Sequence, residues 1–370
     1  MNPVRKSRAI VLLAQTPPPY HGQAVMTQVL KDVLEESFEV HHVRMAFSQT
    51  IAENKKVSFL KLFKLIGILV RTLCLLVRHP GAVLYYPPAP GHWVPVLRDL
   101  VLLTLCRPFA GCTVFHFHAR GIGEFLEQHR RLPQRAWRAP EHAIVLGASV
   151  RQDAEFLGAQ KIHEIPCGVD IEPVPEDSRV SSRVRIFFAG FHIESKGIFD
   201  VLETARELMN RQVDFEVHMA GEWASSSVQD RFLQLREEYG LESRVKLFGV
   251  LTGADLQAAY ARADIFFFPT FFEHETFGVV VIEAMAHGLP VVASVWPGPC
   301  DIIRNQETGF LCSSRNVDAY ADALQSLIEN SEMRAAMGFA GWKLYEEKYT
   351  RAVYGESMRK LFAEICNDAY

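Results

Sequence analysis

An alternation, run through twice, constrains this chain more than anything else in it. Short stretches rich in β-branched and aromatic residues are each followed by a stretch with helical spacing. In the first half the strand candidates are residues 9–15, 38–45, 82–88, 112–119 and 142–148. In the second half they are 184–191, 215–221, 244–250, 264–270 and 290–294, with helical candidates at 198–210, 225–240, 254–263 and 318–330. Strands that are apolar throughout are buried on both faces, and helices between them provide the crossovers of a parallel sheet. The segment "VDIEPVPEDSRVSSRV" (169–184), rich in Pro, Ser and charge, interrupts the pattern and reads as a linker. The expected fold is α/β: two doubly wound Rossmann-like domains facing a central cleft, which is the natural ligand site. The domains expected are 1–168 and 184–346, joined by 169–183. The helical end, 347–370, could pack on either domain as far as periodicity goes.

Length and composition agree. A chain of 370 residues accommodates two domains at roughly 150 residues each. Seven cysteines, an odd number with no CxxC pair, argue against a disulfide framework or a zinc site and suit a reducing, cytoplasmic compartment. The apolar run AIVLLA (9–14) is too short for a signal-peptide core and reads as the first strand. Charge is uneven: residues 1–170 carry 20 Lys+Arg against 13 Asp+Glu, a balance of +7, while the remainder balance at −11. A basic module facing something anionic is one reading, and ordinary variation between halves is the other.

One apolar segment, "FLKLFKLIGILVRTLCLLVRHP" (59–80), has charge-free runs of only six residues, 65–70 and 72–77. A spanning helix needs roughly 18. At 100° per residue Lys61, Lys64, Arg71 and Arg78 fall within about 100° of one another, a basic stripe on an apolar helix. Either the helix lies in a membrane interface or it is a Rossmann helix with its apolar side on the sheet.

Chemistry concentrates at the expected strand ends. "QTPPPYHGQAVMTQ" puts Gly22 where a strand turns into a helix, which lets backbone come close to an anion or a sugar. No G-x-G-x-x-G follows it, and "RGIGEF" (120–125) lacks the third glycine, so a dinucleotide fingerprint is absent. "VFHFHARG" places His116, His118 and Arg120 on one face by alternation, suited to hydrogen-bonding a polar ligand, or simply polar residues at a strand end. "FFAGFHIESKG" ends a strand at Gly190 and sets Lys196 before a helix, a sensible diphosphate partner. Finally, "PTFFEHETFGVVVIEAMAHGLPVVAS" (269–294) carries Glu275 and Glu283 in an otherwise apolar stretch. A surface pair on a half-exposed helix is the plain reading. A helix from about Gly278 to His287 would instead put Glu275 in the preceding loop, the N–H groups of 278–280 at the helix start and Glu283 inside it. Such an arrangement can hold a phosphate while the carboxylates accept hydrogen bonds from hydroxyls.

With these segments in register, the chain resembles the retaining glycosyltransferases of family 4, which have the GT-B fold. The resemblance runs from residue 9 to about 330 and rests on "IPCGVDIE", "FFAGFHIESKG", "HMAGE", "VKLFGV" and above all the Glu-x7-Glu segment with its downstream "GFLC". It implies that Glu283 binds the ribose of a nucleoside diphosphate sugar. Glu275, with the backbone of Thr276, Phe277, Gly278 and Val279, would hold the transferred sugar. Lys196 would meet the diphosphate, with Gly190, Arg120 and Gly22 around the donor and His118 at the sugar. It also implies that the end of the chain, 347–370, crosses back to the first domain. Three positions depart from the family pattern: Gln23 where a second glycine is common, Phe191 where many members have arginine, and Cys167 for asparagine.

The implied reaction is sugar transfer with retention of configuration to a glycan or lipid-linked acceptor of bacterial surface polysaccharide assembly. Its site would be the cytoplasm, in peripheral contact with the inner membrane face through 59–78. No Asp-x-Asp occurs, so no obligatory metal and no cofactor beyond the co-substrate is expected, and no nucleic-acid partner. The rivals are a transferase or phosphorylase with a small soluble acceptor, and a catalytically silent nucleotide-sugar-binding subunit.

Overall fold

A computed structural model describes residues 8–18, 22–45, 59–171 and 183–367. The chain divides into two compact units, 1–168 with 351–370, and 169–350. Most of the linker expected at 169–183, from 172 to 182, lies outside the described residues.

In the first unit, β1 (Ile10–Ala14), α1 (Gly22–Glu35), β2 (Val40–Arg44), α2 (Phe59–Arg78), β3 (Val83–Tyr86), α3 (Trp93–Cys106), β4 (Cys112–Phe117), α4 (Ile122–Gln128), β5 (His142–Val145), α5 (Gln152–Phe156) and β6 (Lys161–Glu164) follow in order. All strand pairs are parallel, in the spatial order β2-β1-β3-β4-β5-β6. The central strands β1, β3 and β4 are buried along their whole length, β1 by an uninterrupted apolar sequence and β4 with Thr113 and His116 buried among its apolar residues.

The second unit runs β7 (Val184–Ala189), α6 (Ile198–Asn210), β8 (Phe215–Ala220), α7 (Ser226–Glu238), β9 (Val245–Leu247), α8 (Gly253–Arg262), β10 (Ile265–Phe268), α9 (Val279–Ala286), β11 (Val291–Ser294), α10 (Pro299–Ile302), β12 (Gly309–Cys312), α11 (Val317–Glu329) and α12 (Ser331–Lys348). Its parallel sheet has the order β12-β11-β10-β7-β8-β9. Within the unit this is the 3-2-1-4-5-6 arrangement of Rossmann folds.

Each sheet has one strand beyond those read from sequence. β6, KIHE, is a polar edge strand with no fully buried residue, so it shows no apolar run. β12, GFLC, is short and begins at a glycine whose added Cβ would sit 2.0 Å from the Val291 carbonyl oxygen. The last helix, α13 (Arg351–Asn367), belongs to the first unit. It packs on α1, where Gly355 admits Val33, and ion pairs Arg351–Asp32 (3.4 Å) and Arg359–Glu36 (2.8 Å) flank the contact. Tyr354, Met358 and Phe362 are buried along its inner face.

Strand order locates the ligand-facing ends. In the second unit the chain leaves β7 toward β8 and leaves β10 toward β11, in opposite directions, so the crevice lies where the carboxyl ends of β7 and β10 meet. The corresponding point of the first unit is between β1 and β3, at residues 15–18 and the "PPAPG" segment, 87–91.

Candidate functional site

At the β7/β10 switch point two loops are laced together. After β7 the chain makes a tight turn over Glu194–Lys196 and enters α6 through Gly197, at φ +79°. A Cβ on Gly197 would stand 2.1 Å from the Pro269 carbonyl oxygen, so the turn can approach the end of β10 only with glycine there. Phe271 N–H donates to the Ser195 carbonyl (2.8 Å), and Trp296 Nε1–H donates to the Phe272 carbonyl (2.7 Å) from the far side.

This lacing brings Lys196 onto Glu275. The Lys196 ammonium donates to Glu275 Oε2 with the two side chains 18% and 10% exposed. The rings of Phe268 and Phe272 lie 5.3 and 5.0 Å from the ammonium. Glu275 N–H closes a turn onto the Phe272 carbonyl (2.9 Å). A half-buried cation held by one carboxylate and two aromatic faces is poised to exchange part of that pairing for a ligand's anionic oxygens.

Glu275 is followed by the buried Thr276 and Phe277 and then by Gly278, which caps α9 in the left-handed region at φ +87°. Val279 opens the helix half-exposed. The helix therefore occupies the span read from sequence, with Glu275 ahead of it and Glu283 within. The Glu283 carboxylate accepts from the Tyr260 hydroxyl (2.9 Å), and Tyr260 stacks on His287 at 5.2 Å. Part of Glu283 reaches the surface, yet protein crowds its carboxyl, and desolvation pushes its pKa up to about 7 against the pull of the Tyr260 bond. Desolvation, then Glu283's charge, pushes the Tyr260 hydroxyl up as well, far above its ordinary range.

Gly190 ends β7 at φ +155°. Two residues on, His192 is fully buried, and burial lowers its pKa to about 4 against the opposing pull of the Ala220 backbone. Its ring lies 4.4 Å from Trp223, edge on.

The remaining expected residues sit on the first unit. Gly22 is exposed at the first position of α1, with nothing within 4 Å of an added Cβ, so packing does not explain the glycine. β4 stops at Phe117, and His118 and Arg120 lie in the following loop rather than on the strand. His116 is no ligand contact: it is fully buried, its Nδ1 sharing a hydrogen bond with the Tyr85 hydroxyl (2.8 Å). Burial and the adjacent His118, rings 3.9 Å apart, hold its pKa well below the ordinary value. Arg120 donates to Gln152 (3.2 Å). The "RGIGEF" loop is filled from within, because Asp153 accepts from Gly121 N–H and Gly123 N–H, both at 2.8 Å. The place an anion would take at the start of α4 is occupied by the protein's own carboxylate.

Sequence reading missed several members of these sites. Tyr260 and Phe268 lie in ordinary helix and strand patterns, Phe272 lies in the loop after β10, and none carries a local signal of its partners. Asp99 had one: an acid inside the apolar stretch "WVPVLRDLVLL". It is fully buried and accepts from the Tyr86 hydroxyl (2.6 Å) and Ala89 N–H (2.8 Å), pinning the "PPAPG" segment at the first unit's switch point. Among the described residues, the one group able to share a metal ion is Glu39, His41 and His79, with ligand atoms within 4.8 Å of one another. It lies at the amino ends of the strands, away from the ligand-facing side.

The architecture has close counterparts among solved structures. Sucrose-phosphate synthase of Thermosynechococcus elongatus superposes with a TM-score of 0.75 at 19% identity, covering 97% of this chain and 99% of that one. Anabaena HepE, solved with UDP and glucose, gives 0.70 at 15% identity over 96% and 100%. The fold is GT-B. Within it, residues 174–343 match the family described as glycosyl transferases group 1. A D-inositol 3-phosphate glycosyltransferase of Corynebacterium glutamicum is 27% identical over 54% of this chain and 52% of its own length. A phosphatidyl-myo-inositol mannosyltransferase of Mycobacterium leprae is 30% identical over 61% of each. The chain spans about half the length of the first curated relatives it matches. The glycosyl transferases group 1 match covers most of the second unit of this GT-B chain, the unit that carries Lys196, Glu275 and Glu283.

Proposed function

We propose that the protein is a retaining glycosyltransferase that moves a sugar from a nucleoside diphosphate sugar to a glycan or lipid-linked acceptor in bacterial surface polysaccharide assembly. The observation that carries the reading is the Lys196–Glu275 pair, set at a Rossmann switch point one short turn before the helix that holds Glu283. Anabaena HepE has been solved with UDP-glucose, which supports a nucleotide sugar as the ligand class. The M. leprae relative's name supports a lipid acceptor.

In this reading the anomeric C–O bond to the diphosphate breaks while the acceptor oxygen bonds the anomeric carbon on the same face. Positive charge grows on the sugar and negative charge on the departing diphosphate. Lys196 turns from Glu275 toward that diphosphate and stabilises it electrostatically, with Gly190 and the N-terminus of α9 at Gly278 and Val279 close to the donor. Glu275, relieved of its lysine, orients the sugar with the backbone of Thr276 and Phe277. Glu283 accepts from ribose hydroxyls. The leaving diphosphate oxygen takes the acceptor proton, so neither a protein base nor an obligatory metal enters. The reaction takes place in the cytoplasm, and α2, with its basic residues, rests on the inner membrane face.

The D-inositol 3-phosphate glycosyltransferase relatives favour a second reading, a small soluble polyol phosphate as acceptor. Turnover across UDP-, GDP- and ADP-sugars, with Glu283→Gln as control, tests the first half of the reaction. One preferred donor, lost in the variant, is the expected result. No binding of any donor would leave a silent subunit. Turnover on a soluble acceptor without lipid would select the second reading.

A further inference from the structure

α2 and α3 pack against each other in the first unit and leave an unusual amount of apolar surface outside. Of the α2 side chains described, from 61 to 78, only Thr72 and Leu76 are buried. At 100° per residue, the exposed Leu62, Phe63, Ile66, Val70 and Val77 fill an arc of roughly 100°, and Lys64, Arg71 and Arg78 fill the next, of about 40°. α2 does pack on β1 and β2 as a Rossmann helix should, but a second apolar arc is left outside. α3, which nothing in the sequence reading singled out, repeats the pattern without the charges. Trp93, Leu97, Val101 and Leu105 step along it at four-residue intervals, each at least 39% exposed, while Val96, Asp99, Leu103 and Cys106 face inward. Its one outward cation, Arg98, is neutralised by the buried Asp99 at 2.7 Å.

We infer that α2 and α3 together form a membrane-docking face for a bilayer containing anionic lipid, in which the α3 stripe enters the acyl region and the α2 cations stay with the headgroups. The inference deepens the proposed contact of residues 59–78 and rests on it. Contiguous exposed apolar surface on this scale marks an interaction site. Among the described residues no helix is long and apolar enough to cross a membrane, so the face lies on the bilayer rather than through it. Charge selects the occupant. A basic arc borders the apolar one on α2, and at the far end Trp93 lines a pocket of about 470 Å³ with Arg131 and with Arg130 paired to Glu127 (3.3 Å), which adds a single net positive charge. Anionic headgroups complement that border, whereas a second copy of the chain would set basic arc against basic arc.

The test is flotation of the full chain with phosphatidylcholine vesicles, with and without phosphatidylglycerol, at low salt. Bromine on the acyl chains quenches an inserted indole, and Trp93→Phe isolates the signal of Trp93. Expected are binding that needs phosphatidylglycerol, quenching lost in Trp93→Phe, and at least about a tenfold loss of partitioning in Leu97→Asp/Val101→Asp. Both substitutions are at exposed positions, and circular dichroism checks that the variant folds. If Lys64→Glu/Arg71→Glu releases the protein but the α3 variant floats like the wild type with Trp93 unquenched, the inference falls and the α2 contact stands. If the wild type does not float, both fall. A dimer in solution that Leu97→Asp/Val101→Asp dissolves, without vesicle binding, would assign the face to a second copy and overturn the proposal. Turnover of soluble donor by all variants keeps these outcomes apart from the donor-site reading.

Discussion

Lys196 and Glu275, 79 residues apart in sequence, form a half-buried ion pair where the loops after β7 and β10 meet. Neither side chain can be lost innocently. Removing one leaves the other's charge partly desolvated, at a cost of about 3 kcal/mol or more. Lys196→Met keeps the stem against Phe268 and Phe272 but removes the charge. It is expected to lower kcat/KM by at least about a hundredfold, corresponding to roughly 3 kcal/mol of transition-state stabilisation. Glu275→Gln, which can still hydrogen-bond a sugar hydroxyl, should retain donor affinity while losing kcat. Steady-state kinetics on both variants separates the roles, and equal losses of affinity alone in each would refute them.

Gly197 sets the geometry of that pair. Alanine there combines a left-handed backbone with a Cβ placed 2.1 Å from the Pro269 oxygen. The strain is on the order of 3 kcal/mol. The expected outcome is a lower melting temperature and loss of turnover beyond what the stability change explains, because the Glu194–Lys196 turn must lift off β10. Wild-type kcat in a folded Gly197→Ala protein would show that Lys196 does not need this seat.

In the first unit, Asp99→Asn tests the pin on the "PPAPG" segment. The amide can still accept from Tyr86 or Ala89, but Arg98 loses its counter-charge and the second oxygen becomes a donor facing donors. Destabilisation of about 2–4 kcal/mol is expected in a urea titration. A midpoint unchanged from wild type would mean that the buried carboxylate is dispensable.

How much of this could be read beforehand depended on whether a feature was local. Buried parallel strands such as IVLLA and IFFF announce themselves, because burial on both faces leaves no polar alternation. The turn at Gly278 and the helix behind it were also legible, since Gly-VVVI-EAMA resolves only as a capped helix. Tyr260 under Glu283 was not legible, as a tyrosine in the amphipathic helix α8 looks like core from its own neighbours. The α3 stripe escaped for a similar reason. WVPVLRDLVLLTLC has the composition of a buried helix, and only the packed unit shows which of its sides is left outside. His116 misled in the opposite direction, since strand alternation with His118 could not reveal Tyr85 beside it.

Two buried groups of the second unit give its stability opposite dependences on pH. Glu283 has a folded pKa of about 7, above its unfolded value near 4.3, so between those limits the folded state holds more protons and stability falls as pH rises. His192 has a folded pKa of about 4, below its unfolded value near 6.5, so the unfolded state holds more protons and stability falls as pH drops through that window. Each shift is worth on the order of 3 kcal/mol when fully developed, and across roughly pH 4.5 to 6.5 the two nearly cancel. Single substitutions should expose them. Glu283→Gln is expected to raise the melting temperature at pH 8 relative to wild type and leave it little changed at pH 4.5. His192→Phe should do the reverse, stabilising at pH 4.5 with little effect at pH 8. Donor binding adds a further sign: ribose hydroxyls donating to Glu283 favour its carboxylate, so donor affinity should rise from pH 6 to pH 8 and lose that slope in Glu283→Gln. Calorimetric titrations in two buffers of different ionisation enthalpy would register the accompanying proton release. A wild-type affinity flat across this range would separate Glu283 from the donor.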